Sequence, residues 1–305
     1  MSIVLGPNQY GKAETRLVRI YRDTERHEIR DLSVSTALRG DFDAAHVAGD
    51  QAKVLPTDSQ KNTCFAYAKE KGVGEIEDYA LALARHFTEE IATVTRAHVS
   101  VDEYRWERAV VGGTGHPHTF VRAGHEIRTT AVTANADRSA WVISGIKDLV
   151  VLKSTGSQFT GFLQDRYTTL AEATDRVLAT SLTARWRYAS AGTPAGPPEG
   201  GWAAAFGHVR QILIERFAEV RSLALQQTLW EMGSAVLAAR DDICEIRLTA
   251  PNKHHFLVDL APFGLDNPGE VFHADDRPYG LIQCAVQRDD APSTGPAWES
   301  PASFA

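Results

Sequence analysis

The sequence predicts an α+β protein made of two similar halves, each an antiparallel sheet with two helices on one face. Three observations predict it. Segments with alternating apolar residues come in pairs joined by short polar or glycine turns, the mark of hairpins rather than parallel crossovers. Two consecutive helical patterns separate one pair from the next, and a sheet with one apolar face needs such a covering layer. The succession of strands, helix pair and strands then recurs in the second half, without sequence identity between the halves.

The first strand lies in TRLVRIYR, residues 15–22, with Val18 and Ile20 on one side and Leu17, Arg19 and Tyr21 on the other. A polar turn, Asp23-Thr24-Glu25, leads to its partner at residues 27–38. After a loop, Asp58 or Ser59 can cap a helix that ends near Lys71, before Gly72 and Gly74. From Glu75 a second helix sets Ile76, Tyr79, Leu83, Phe87 and Ile91 at three- and four-residue spacing. In RAHVSVDEYRWER, Ala97, Val99 and Val101 alternate before the parity changes at Tyr104 and Trp106, which predicts a bulge. Past Gly112-Gly113-Thr114-Gly115, residues 119–133 read as the return strand.

In the second half a strand from Ala140 to Lys153 precedes a long connection and a strand in SLTARWRYAS, residues 181–190. A Gly/Pro-rich loop, residues 191–201, leads to a helix with Phe206, Val209, Leu213, Phe217 and Val220 on one face. The next helix carries Leu225, Leu229, Met232 and Val236 and ends near Arg240. Strands are expected at residues 244–248, 255–260 and 281–286, and the Pro/Ser-rich tail, residues 291–305, reads as disordered.

Composition narrows the class. Of the 305 residues, 43% are hydrophobic and 23% charged, as in ordinary globular proteins, and no apolar run is long enough to span a bilayer. The start, MSIVLGPNQYGK, carries no secretory pattern, so the cytoplasm is the expected location and no membrane partner is expected. A net charge of −7 argues against general affinity for nucleic acid while leaving room for a local cationic pocket. Cys64, Cys244 and Cys284 are odd in number and widely spaced, which reads as reduced, mostly buried thiols.

The stretch with most chemistry runs from Leu149 to Thr180. Its apolar strand and hydroxyl-rich turn, Lys153 to Ser157, precede Phe159 and Arg176. An aromatic face with a guanidinium fork suits a flat anionic heterocycle, though the same two residues also suit a core ring and a solvated helix position. Pro56-Thr57-Asp58-Ser59 is equally a turn and helix start. In Pro251-Asn252-Lys253-His254-His255, strand geometry puts Asn252 and His254 on one side and Lys253 and His255 on the other. Gly6 to Lys12 fits the phosphate-loop spacing G-x-x-x-x-G-K, but Ala13 stands where Ser or Thr is needed and a strand pattern follows. His116-Pro117-His118 and His254-His255 lack further ligands at zinc spacing, and no dinucleotide fingerprint follows a strand; neither a metal nor a cofactor is expected.

The run Leu-Val-Val-Leu-Lys-Ser-Thr-Gly-Ser-Gln-Phe, with Gly161-Phe162, Tyr167-Thr168-Thr169-Leu170 and Asp175-Arg176, closely resembles the signature of the urate oxidase (uricase) family. Further matches extend from Tyr10 to Ile282, nearly the whole chain. The resemblance implies two tandem T-fold domains, residues 1–137 and 138–290, with four subunits closing a barrel around a tunnel. It implies a cofactor-independent reaction of urate, dioxygen and water to 5-hydroxyisourate and hydrogen peroxide. Lys12 and Thr57 would form the base, with His254 as proton relay. Arg176 and Gln226 would clamp the purine edges, Phe159 would stack on the ring, and Leu225 and Ile282 would form apolar walls. Asp58 would join Thr57 beside the substrate, and Asn252 would hold dioxygen or water. Lys12 and Thr57 would come from one subunit and the clamp from its neighbour. Many family members have Val where Leu225 stands. The rival readings are another T-fold purine or pterin enzyme, and a purine-binding relative without catalysis.

Overall fold

The computed structural model describes residues 2–189 and 196–300. In chain order it contains β1 (Tyr10–Tyr21), β2 (Glu28–Gly40), α1 (Asp43–Ala48), α2 (Thr57–Glu70), α3 (Ile76–Glu90), β3 (Val94–Glu103), β4 (Trp106–Val111), β5 (Thr114–Arg122), β6 (Ile127–Asn135) and β7 (Ala140–Lys153). Then come β8 (Leu178–Tyr188), α4 (Trp202–Glu219), α5 (Leu225–Ala239), β9 (Ile243–Leu257), a 3-10 turn (Ala261–Phe263) and β10 (Phe272–Gln287).

Eight strands make one antiparallel sheet in the order β1-β2-β3-β6-β7-β8-β9-β10. The expectation of a separate sheet in each half is therefore corrected. β6 and β7 pair from Ile127↔Lys147 to Ala134↔Ala140, so a hairpin between them welds the four strands of one half to the four of the other. The boundary expected at residues 137 and 138 falls in the turn of that hairpin. Alternation places Ala97, Val99 and Val101 of β3 and Val132 and Ala134 of β6 under Leu83 and Phe87 of α3. The same core continues through Ile146 and Leu182 to Leu213, Leu229 and Met232 of the second half. Burial contributes about 1.5–3 kcal/mol for each Val, Leu, Ile, Phe or Met among these and less for the alanines, which secures the sheet across its seam.

Several expectations change in detail. The bulge at Tyr104 is a strand end: β3 stops at Glu103, and β4 pairs with β5 in a separate hairpin turned by Gly112 and Gly113, both at positive φ. The return strand expected at residues 119–133 is thus two strands. α1 lies in a stretch that the sequence presents as loop, because so short a helix shows no periodicity. α2 begins at Thr57 with Pro56 as its cap, and Asp58 instead binds Lys61 and Asn62 within the helix. β9 is one strand, not two, because Lys253 and Asn252 stay paired with Ala179 and Thr180 of β8.

The disordered tail is a correction for its described part, residues 291–300, which packs across the helix-free face of the sheet. Trp298 Nε1 donates to Glu245 Oε2 at 3.1 Å, and its ring lies 3.9 Å from the Arg247 guanidinium carbon. Arg187 donates to the Pro292 carbonyl at 3.0 Å, and Arg96 to Glu299 at 2.8 Å. Composition favoured disorder, but a tryptophan above a charged strand face supplies burial and hydrogen bonds that composition does not count. Residues 301–305 lie outside the described residues.

On the same face His98 is 5% exposed, with Nδ1 2.8 Å from Thr133 Oγ1. Burial, followed by the charges of Arg185 and Arg39, pushes its pKa down to about 3. The unfolded chain therefore binds this proton more readily, so stability is full above pH 6.5 and is lost as pH falls towards 3. The expected decline from this group is about 1 kcal/mol per pH unit. Denaturant titrations across that range should show a shallower decline for His98→Gln than for the parent, and equal slopes would count against it.

Candidate active site

The connection between β7 and β8 folds back on itself. Phe159 and Ala173 exchange backbone hydrogen bonds at 2.7 and 3.0 Å, and Arg176 N donates to Ser157 O at 2.8 Å. Phe159 and Arg176, remote in sequence, thus become neighbours, with the guanidinium carbon 5.2 Å from the ring centroid. Phe162 stacks on Phe159 at 4.9 Å and 12°. Gln158 N donates to Ser222 O at 2.8 Å and Ser222 N to Gly156 O at 2.9 Å. These bonds dock the connection beside the start of α5, where Leu225 and Gln226 stand.

Strands β9 and β10 complete the cleft. Asn252 lies opposite Gly280 and His254 opposite Asp275, with an irregularity of register between them. Phe159, Arg176, Leu225, Gln226, Asn252, His254 and Ile282 all line one cleft of about 310 Å³. Leu170, Ala171, Ala173, Val177, His255 and Phe256 complete its wall. His255 was expected on the opposite side of β9; it reaches the cleft beside the register shift, where strict alternation fails. Phe256, which no motif in the sequence marks, follows from period two beyond His254, and their rings stack at 5.7 Å. The apolar residues 170–177 carried no such signal, because only the fold-back brings them in.

Arg176 is the electrostatic centre. It is half-buried, its Nε has no hydrogen-bond partner, and no ion pair reaches it among the described residues. Burial pushes its pKa below the ordinary guanidinium value. A cation in a mainly apolar cleft without a counter-charge favours an anionic guest, since the guest removes the desolvation penalty.

Lys12, Thr57 and Asp58 lie apart from this cleft. Lys12 is in β1 opposite Thr36, whose Oγ1 accepts from its backbone N–H at 3.3 Å. Thr57 lines a second, apolar groove with Tyr10, Phe42, Val54 and Pro56. Lys61 and Asn62, and to a smaller degree Lys12, hold the Asp58 carboxyl below the usual range. The phosphate-loop spacing leads into β1 rather than a helix, so no helical N-terminus faces it. The His116 and His118 rings sit 4.5 Å apart, and no group of three or more His, Cys, Asp or Glu placed to hold a metal occurs among the described residues.

An antiparallel α+β chain whose cleft joins an aromatic ring, a guanidinium without an ion-pair partner among the described residues, and amide and imidazole side chains falls in a class whose clefts suit flat, anionic guests. A sequence model of the uricase family matches residues 8–133 and 142–283. The uricase of Arthrobacter globiformis is 49% identical over 302 residues, 99% of this chain and 96% of that one. The uricase of Aspergillus flavus is 34% identical over 297 residues, 93% of this chain and 97% of that one. The crystal structure of uricase from Arthrobacter globiformis aligns with a TM-score of 0.89 at 48% identity, covering 98% of this chain and all of that one. The chain belongs to the uricase family and is an oxidoreductase of that family.

Proposed function

We propose that this chain is a cofactor-independent urate oxidase that converts urate, dioxygen and water to 5-hydroxyisourate and hydrogen peroxide. The observation that carries the reading is the cleft in which an unpaired Arg176 meets Phe159, Gln226, Asn252 and His254. Arg176 and Gln226 hold the two edges of the purine anion, Phe159 stacks on it, and Leu225 and Ile282 shape the walls. Lys12 together with Thr57 accepts a proton, with Asp58 next to Thr57 and His254 relaying. The electron-rich urate anion passes two electrons to dioxygen held by Asn252 and bonds the resulting peroxide at a ring carbon. Water from the same position then replaces it there, and the proton taken by the base together with one from that water completes hydrogen peroxide.

The base and the clamp are separated within one chain, which supports a site shared between subunits of a homotetramer. Two tandem T-fold domains closing a tunnel-bearing barrel, and a cytoplasmic location, belong to the same reading. No helix among the described residues is long and apolar enough to cross a membrane. The test is loss of urate absorbance together with dioxygen uptake and peroxide release, using protein dialysed exhaustively against chelator. One peroxide per urate without added metal or cofactor is expected. Binding without turnover would leave a purine-binding relative, and zinc-dependent turnover of a purine without dioxygen uptake or peroxide release would favour a hydrolase.

A further inference from the structure

Asp175 precedes Arg176 but is not among the residues lining the cleft. Its carboxylate accepts three hydrogen bonds: from Thr155 Oγ1 at 2.6 Å, Gly156 N at 2.9 Å and Ser157 N at 3.4 Å. Gly156 has φ +75, a left-handed conformation that turns successive N–H groups towards a common acceptor. The donors are the residues at which the chain leaves the turn after β7, and Asp175 stands where the chain returns towards β8. One side chain therefore fastens the exit of the excursion to its re-entry. Farther out, Gly161 N donates to Glu172 across the two arms at 2.8 Å, and the bond from Asp165 N to Thr168 is local. These hydrogen bonds hold the Asp175 carboxyl below the usual range, led by that of Thr155.

We propose that Asp175 is a positioning residue that clips the neck of the excursion and so sets Arg176 against Phe159 for the purine. This rests on the functional reading above. Asp175 touches neither the base nor the dioxygen position, and without it Arg176 and Phe159 are still present but held less tightly, which weakens their grip on the ring in ground state and transition state alike. Its loss should therefore appear in KM rather than kcat. A small misplacement of a bidentate clamp is enough to weaken binding about tenfold or more.

The experiment compares the parent with Asp175→Ala, Asp175→Asn and Thr155→Val in steady-state urate oxidation, urate binding under argon, and amide hydrogen exchange over residues 155–160. Asp175→Ala should raise KM and the anaerobic Kd about tenfold, leave kcat within about threefold, and speed exchange at Gly156 and Ser157 about tenfold or more. Asp175→Asn should recover most of the loss, because an amide oxygen still accepts from both backbone donors and its NH2 can donate to the Thr155 hydroxyl. If Asp175→Ala does not fold, Thr155→Val, which deletes one bond, should give a smaller shift of the same kind. Unchanged exchange, a fall in kcat at constant KM, or an Asn variant as defective as Ala would overturn the proposal. A parent that neither binds nor oxidises urate would overturn the functional reading alone; the exchange comparison needs no substrate and still decides whether Asp175 clips the loop.

Discussion

Arg176→Ala should raise the KM for urate and lower turnover, a combined loss in kcat/KM of about 30-fold to several thousandfold. That range corresponds to about 2–5 kcal/mol, the usual consequence of truncating one partner of a desolvated, hydrogen-bonded charge pair. The magnitude follows from the environment of the guanidinium. It is half-buried, its Nε is unpaired, and apolar side chains make up much of the cleft wall. The bound anion would be its main counter-charge, so removing the cation leaves that anion unpaired in a poorly hydrated space. Arg176→Lys should recover only part of the loss, because an ammonium keeps the charge but cannot make two parallel bonds to a planar edge and has no flat face for Phe159. Steady-state kinetics with both variants decide the matter. A KM for Arg176→Ala close to that of the parent would remove Arg176 from substrate recognition.

Mixing two inactive variants should regenerate activity. Lys12→Met removes the proposed base and should lower kcat about 100- to 10,000-fold, while Arg176→Ala disables the clamp. The Arg176 cleft contains neither Lys12 nor Thr57, and Thr57 lines a different groove on the other half of the sheet. If each working site takes its base from one subunit and its clamp from another, equal co-expression leaves about a quarter of the sites with both groups intact. Activity of the co-expressed mixture would then be about a quarter of the parent's, far above either variant alone. A mixture as inactive as its components would mean that base and clamp serve the same chain, and the shared-site reading would fall. Urate binding by the Lys12→Met protein should survive, which separates loss of the base from loss of the pocket.

Local pattern carried much of the architecture. The bounds expected for the strand from Ala140 to Lys153 are those of β7, because a long apolar run between clear turns leaves few alternatives. The spacing of Ile76, Tyr79, Leu83 and Phe87 specifies α3, and that of Leu225, Leu229, Met232 and Val236 specifies α5, since each places one apolar stripe towards a sheet. Pattern failed where partners far away in sequence decide the outcome. Tyr104 and Trp106 looked like a continuation of β3, yet β4 finds its partner in β5. Trp298 sat in a segment whose composition suggested disorder, and its partners Glu245 and Arg247 are distant residues of β9.

The candidate site divides in the same way. The sequence alone determined which chemical groups the chain carries: an aromatic and a guanidinium on one connection, an amide and an imidazole two residues apart, a lysine and a threonine near the start. Tertiary structure alone decided that the first four share a cleft with Leu225, Gln226 and Ile282, that Lys12 and Thr57 lie elsewhere, and that the two halves form one sheet. The reason is the range of the forces involved. Side-chain chemistry and hydrophobic period are properties of neighbouring residues, whereas the burial and company of Arg176 depend on a fold-back, a helix start and two strands that meet only when the core is buried.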